Sequence, residues 1–201
     1  MILPEHLFFT GVPGSHWSAI AQDLETISGF NTSDRTENRA YKHEVYSGHL
    51  GSYFGTDMEF TANIETMSDT YITQHINSPW KTSAGTKIVK SHEWAYKLRY
   101  IKKTFLNDWI MLVYRPDIQS QAWWHEAGGF SKISYPSYAS YKDPINMMCE
   151  IMKQNQSILQ FAYDNDATWS HYTEQWINET FGAGCSRISK PRPDILVTVI
   201  K

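Results

Sequence analysis

Short apolar runs and amphipathic stretches alternate along this chain. Leu7-Phe8-Phe9 breaks into the small-residue turn Thr10–Ser15 and then into Ala19-Ile20-Ala21-Gln22-Asp23-Leu24. That order predicts a strand, a tight loop and a helix over 5–28, with Gly29 as the stop. Thr86–Ser91 reads as a short strand, and His92–Phe105 as a helix carrying Trp94, Leu98, Ile101 and Phe105 on one face. Asp108–Tyr114 is almost continuously apolar, the pattern of a parallel strand buried on both faces. Arg115-Pro116-Asp117 opens another helix, with proline near its first position. Asp143–Tyr163 and Thr168–Phe181 read as two more helices, capped by Asp143-Pro144 and Asn165-Asp166, and Ile195–Ile200 as a last strand. Between 31 and 85 the periodicity loosens into Ser, Thr, Asn, Gly and Tyr, which predicts an irregular insert or lid. The alternation predicts an α/β fold, a parallel sheet of about four to five strands with helices on both faces, in one domain over 1–201.

Composition narrows the function classes. A net charge of −3 gives no reason to expect nucleic acid, and the basic residues over 87–103 read as a solvated helix face. Cys149 and Cys185 have no metal spacing and form no disulfide framework. The first six residues run straight into the first strand without a leader, and no apolar stretch approaches the roughly 20 residues that span a bilayer. Together these predict a cytoplasmic protein with no membrane partner. His43, His49, His75 and His125 have no ligand-spaced partner, so no metal is expected. The 8 Trp and 12 Tyr serve packing first, and Trp123-Trp124-His125 is read the same way.

Ligands of open α/β sheets bind beyond the carboxyl ends of the strands. Here the first strand ends in Gly11–Ser18, the second in Lys90-Ser91-His92 and the third in Arg115. If those strands are neighbours, one crevice holds a turn that suits an anion, a histidine and an arginine whose fork suits a phosphate. His92 would start a helix, and Lys90, two residues earlier on an extended strand, would point to the same side. Both effects disfavour imidazolium, leaving a neutral ring suited to general-base work.

At these positions the chain resembles the cytosolic sulfotransferases. That family carries Thr-Tyr-Pro-Lys-Ser-Gly-Thr-Thr-Trp in its first loop, then a Lys-Thr-His-Leu-Pro strand end, then an apolar strand ending in Arg-Asn-Pro-x-Asp. Pro13, Ser15 and Ser18 match the loop, Lys90-Ser91-His92 the second element and Val113-Tyr114-Arg115-Pro116-Asp117 the third. The resemblance covers about residues 7–30 and 86–128, roughly a third of the chain, and implies a sheet of the P-loop type. It implies that Pro13, Gly14, Ser15, His16, Trp17 and Ser18 cradle the 5′-phosphosulfate of 3′-phosphoadenosine 5′-phosphosulfate (PAPS, product PAP). It further implies that His92 takes the proton of a small-molecule acceptor's hydroxyl or amine, and that Arg115 binds the 3′-phosphate. The transfer would be in line, without metal.

The chain departs from the family at several points. Gly14 stands in place of the loop lysine, His16 in place of glycine and Trp17 in place of the first threonine. Lys90 or His16 would have to supply the missing cation, which makes Lys90 a second catalytic candidate. Trp123 occupies the place of the family's 3′-phosphate serine, so Ser120, one helical turn earlier, is taken for that role. The closing Arg-Lys-Gly segment is absent, with Arg187 and Lys190 the nearby basic residues. Two other readings stay open: a P-loop nucleotide kinase, against which Trp17 stands at the lysine position, and a non-catalytic nucleotide-binding or interaction module retaining the fold.

Overall fold

The computed structural model of the chain describes residues 2–41, 49–55, 58–59, 63–130, 138–182, 184, 188 and 193–201. Its centre is β1 (His6–Gly11), every residue of which is buried. Period-two alternation sends Phe8 to one face of the sheet, with Val89 and Ile110, and Leu7 and Phe9 to the other, with Ile88 and Met111. A strand so placed needs cover on both sides. α1 (Trp17–Leu24) covers the second face, while α2 (Asp69–Asn77) lies on the first.

The two-residue strands β2 (Ala40–Tyr41) and β3 (His49–Leu50) pair antiparallel in the 31–85 insert. β4 (Lys87–Lys90) and β5 (Trp109–Tyr114) flank β1, both parallel to it, in the registers Phe9↔Lys90 and Gly11↔Val113. α3 (Leu98–Thr104), α4 (Asp117–Glu126) and α5 (Pro144–Asp164) join α2 on the first face. β6 (Ser170–His171), α6 (Glu174–Phe181) and β7 (Leu196–Ile200) complete the chain. The sheet order is β4-β1-β5-β7-β6, and α6 packs with α1 on the second face.

The α/β class with helices on both faces agrees with the sequence pattern, but the sheet is mixed rather than parallel. β7 runs antiparallel to β5, with Tyr114 opposite Leu196 and Ile110 opposite Ile200. Asp194, just before β7, bonds to Arg115 at the carboxyl end of β5. The chain therefore enters β7 where β5 finishes and has to run back. An apolar run buried on both faces reads the same in either direction.

Two helices also differ from their predicted extents. The 92–105 stretch is a 3-10 turn over His92–Tyr96 followed by α3, with Lys97 at φ −120° between them. The 168–181 stretch gives its start to β6, and α6 begins after Thr173, whose Oγ1 accepts from the Trp176 N–H at 3.1 Å. α5 follows its signals closely: the Asp143 side chain accepts from the Asn146 N–H at 2.8 Å and Pro144 fills the first turn. Among the described residues no helix is long and apolar enough to cross a membrane.

Candidate functional site at the carboxyl edge of the sheet

Because β1 lies between β4 and β5, the three strand ends singled out in the sequence are neighbours. The turn after β1 is held from within by Ser15 N–H donating to the Val12 carbonyl at 3.0 Å. Gly14 adopts φ +80°, and a β-carbon there would lie 1.9 Å from the backbone oxygen of Ser120. Only glycine lets the turn sit that close to α4. His16 follows at φ 62°, and its carbonyl accepts from the N–H groups of Ala19 and Ile20. A non-glycine residue held in the left-handed region stores strain of the kind that concentrates at ligand sites. The His16 ring lies on Trp123, centroids 4.1 Å apart. Pro13 and Ser15 are buried, and the Ser15 hydroxyl has no hydrogen-bond partner among the described residues. Ser18 is half-buried. Trp17 is buried against Phe9 and Tyr53, so an indole fills the position at which a nucleotide kinase needs a cation.

Arg115 and Ser120 join this turn. Arg115 Nη1 donates to the Gly14 carbonyl at 3.0 Å, and Nε donates to Asp194 at 2.6 Å. The Arg115 carbonyl accepts from the Ser120 hydroxyl at 3.3 Å and from the Asn155 amide at 2.9 Å. Sequence reasoning missed Asn155 and Asp194.

His92 lies on the other flank of the turn, two rings from Trp17: its centroid is 5.9 Å from Tyr53, which is 5.5 Å from Trp17. The imidazole is buried. The Gln154 amide donates to Nδ1 at 2.9 Å, and Nε2 meets the Tyr141 hydroxyl at 3.1 Å. The same Gln154 nitrogen donates to Glu150 at 2.8 Å, which fixes the orientation of the amide. Nδ1 is then the acceptor and Nε2 carries the hydrogen. Burial pushes the His92 pKa down to about 3, so the ring is neutral. The direction is the expected one, but the cause is desolvation and not Lys90. Gln154 and Asn155 carried a readable signal, since they are adjacent polar residues on the buried face that α5 forms with Met147, Ile151 and Ile158.

The structure does not bring Lys90 to His92. The Lys90 ammonium donates to Glu25 at 2.8 Å and to the Leu50 carbonyl at 2.9 Å, with 1% of its side chain exposed. Glu25, just after α1, also binds Arg35. Lys90 thus closes a buried charge cluster with Glu25 and Arg35. Arg187 and Lys190 lie outside the described residues. Among the described residues no group of three or more metal-ligating side chains comes together. Compared with known proteins, the chain matches no family model, no curated protein and no solved structure.

Proposed function

We propose that this chain is a cytoplasmic, sulfotransferase-like enzyme that moves a sulfuryl group from PAPS to a hydroxyl or amine of a small acceptor. The observation that carries the reading is the position of β1 between β4 and β5, which makes the turn, His92 and Arg115 neighbours on one edge. The buried Ser15 hydroxyl, without a partner among the described residues, adds a donor beneath the turn. The turn Pro13–Ser18 and the first N–H groups of α1 would meet the 5′-phosphosulfate. Arg115 and Ser120 would lie toward the 3′-phosphate. In the transfer the acceptor's O–H or N–H proton goes to His92 while its oxygen or nitrogen bonds to sulfur. The sulfur–oxygen bond to the 5′-phosphate breaks, and PAP leaves with that electron pair. For His92 to take the proton, the acceptor must displace Gln154 from Nδ1, the nitrogen that carries the lone pair.

A second reading, a nucleotide-binding module without chemistry, is favoured by one specific observation. Arg115 and Lys90 are already paired with carboxylates, and both His92 nitrogens are engaged. Thermal shifts with PAP and with ATP–Mg, then label transfer from PAPS, separate the readings. PAP at 100 times its Kd is expected to raise the melting temperature by about 5–10 °C, with ATP–Mg giving little. Wild type is expected to transfer label, and His92→Ala to bind PAP but transfer at least about 100-fold more slowly. A PAP shift without transfer leaves the binding module, no PAP shift removes the transfer reading, and no shift with either nucleotide removes both.

A further inference from the structure

Beside His92 lies a cavity of about 450 Å³ that is separate from the residues of the β1–α1 turn. Pockets of roughly 300–1,000 Å³ hold small organic molecules. Its walls are aromatic, from Trp94, Tyr96 and Tyr138, and its floor carries His92 and Glu150. The Tyr138 ring stands 4.9 Å from the His92 ring.

The charge on the floor is not balanced. Glu150 accepts from the Tyr96 hydroxyl and from the Gln154 amide, both at 2.8 Å, and both donors are neutral. Among the described residues no Lys, Arg or His pairs with Glu150, and the one lysine on the wall, Lys97, is bound to Glu65 at 2.8 Å. Gln154 is fully buried, and its carbonyl oxygen has no hydrogen-bond partner among the described residues. The amide nitrogen beside this oxygen bonds two lining residues, His92 and Glu150, so Gln154 holds both in place without itself lining the cavity. A carboxylate held only by neutral donors, set among aromatic rings, suits a cationic ligand. Glu93, also on the wall, adds negative potential: with Glu150 it helps to raise the Tyr96 pKa, after burial and the Glu150 hydrogen bond.

We infer that this cavity binds a small organic cation, an ammonium group on an aromatic or cyclic body, with its charge at Glu150 and its body among Trp94, Tyr96 and Tyr138. The ammonium donates to Glu150, and the ring faces around it add cation–π attraction. Treating this cation as the sulfuryl acceptor rests on the sulfotransferase-like reading, whereas its binding does not.

The test is calorimetric titration of the full chain with tyramine, 4-ethylphenol and 4-hydroxyphenylacetate at neutral pH. Tyramine is expected to bind at least about tenfold more tightly than the other two, which lack the ammonium or oppose it with a carboxylate. Glu150→Gln, which keeps an oxygen for Tyr96 and Gln154, is expected to weaken tyramine about tenfold and to leave 4-ethylphenol unchanged. Equal binding of tyramine and 4-ethylphenol by wild type, or no binding of tyramine, overturns the inference without recourse to any variant. So does a folded Glu150→Gln that holds tyramine as wild type does. The PAP thermal shift on the same samples keeps the two proposals apart. Tyramine binding without a PAP shift supports the cation site and removes the transfer reading, whereas a PAP shift without tyramine binding removes only the cation site.

Discussion

Arg115 donates to the backbone oxygen of Gly14 at 3.0 Å, tying the end of β5 to the turn that follows β1. Its other bond, to Asp194, pins the segment that leads into β7. The residue proposed to meet a phosphate is therefore also a strut between three parts of the chain. Arg115→Ala is expected to lower stability by about 3 kcal/mol, since it removes a charged donor from both a partly buried carboxylate and a carbonyl. Arg115→Lys keeps the charge but not the fork, and is expected to fall between Ala and wild type. Urea unfolding reads both. A loss for Arg115→Ala below about 0.5 kcal/mol, the range of ordinary surface changes, would remove the strut.

Gly14 is the position at which the turn tolerates no side chain. A β-carbon would collide with backbone, the Ser120 oxygen at 1.9 Å, at a φ of +80° that L residues rarely adopt. Gly14→Ala is expected to cost about 3 kcal/mol or more. His16→Asn puts a residue that tolerates the left-handed region at φ 62°, and is expected to melt within about 4 °C of wild type. Equal losses in both melts would place the sensitivity in the turn as a whole and not in the Gly14 contact.

How far the chain could be read depended on whether the deciding contacts were local. β1, β5 and α5 were legible because their apolar patterns and caps lie within each segment, as Asp143 and Pro144 do for α5. The adjacency of the strand ends that carry Gly14, His92 and Arg115 was legible only as a consequence of strand order. The direction of β7 was not, because it follows from the contact between Asp194 and Arg115, 79 residues apart. Nor was the fate of Lys90: on a strand it reads as a cation near His92, but its partner Glu25 arrives from 65 residues away. The second bond to His92, through Gln154, likewise crosses from β4's end to α5 and leaves only an odd polar residue on an apolar helix face as its trace.

The buried pair of Lys90 and Glu25 gives a prediction about structure and not about transfer. Lys90→Met leaves the Glu25 carboxylate with Arg35 alone and is expected to cost about 2–4 kcal/mol. The double variant with Glu25→Gln is expected to recover part of that loss, because the buried carboxylate that lost its ammonium is then neutral. The PAP thermal shift of folded Lys90→Met is expected to equal that of wild type. A Lys90→Met protein that melts normally yet loses the PAP shift would return Lys90 to the phosphate.

His92 sets a pH dependence whose sign follows from its burial. In the unfolded chain an imidazole takes its proton near pH 6.5, whereas the folded ring stays neutral down to about pH 3. Between those values the unfolded state binds more protons, so this group's contribution to stability falls as pH falls. The slope is about 1.4 kcal/mol per pH unit, close to 2 kcal/mol lost by about pH 5. Above pH 6.5 the ring is neutral in both states and contributes no slope. His92→Gln retains groups that can bond Tyr141 and Gln154 but does not titrate. Urea unfolding of wild type and His92→Gln at about pH 5, 6 and 7 isolates the term, because the carboxylates contribute alike to both proteins. The wild-type curve is expected to fall more steeply toward acid by that slope. Parallel curves would mean that the folded ring accepts a proton as readily as the unfolded one, and that burial does not hold it neutral.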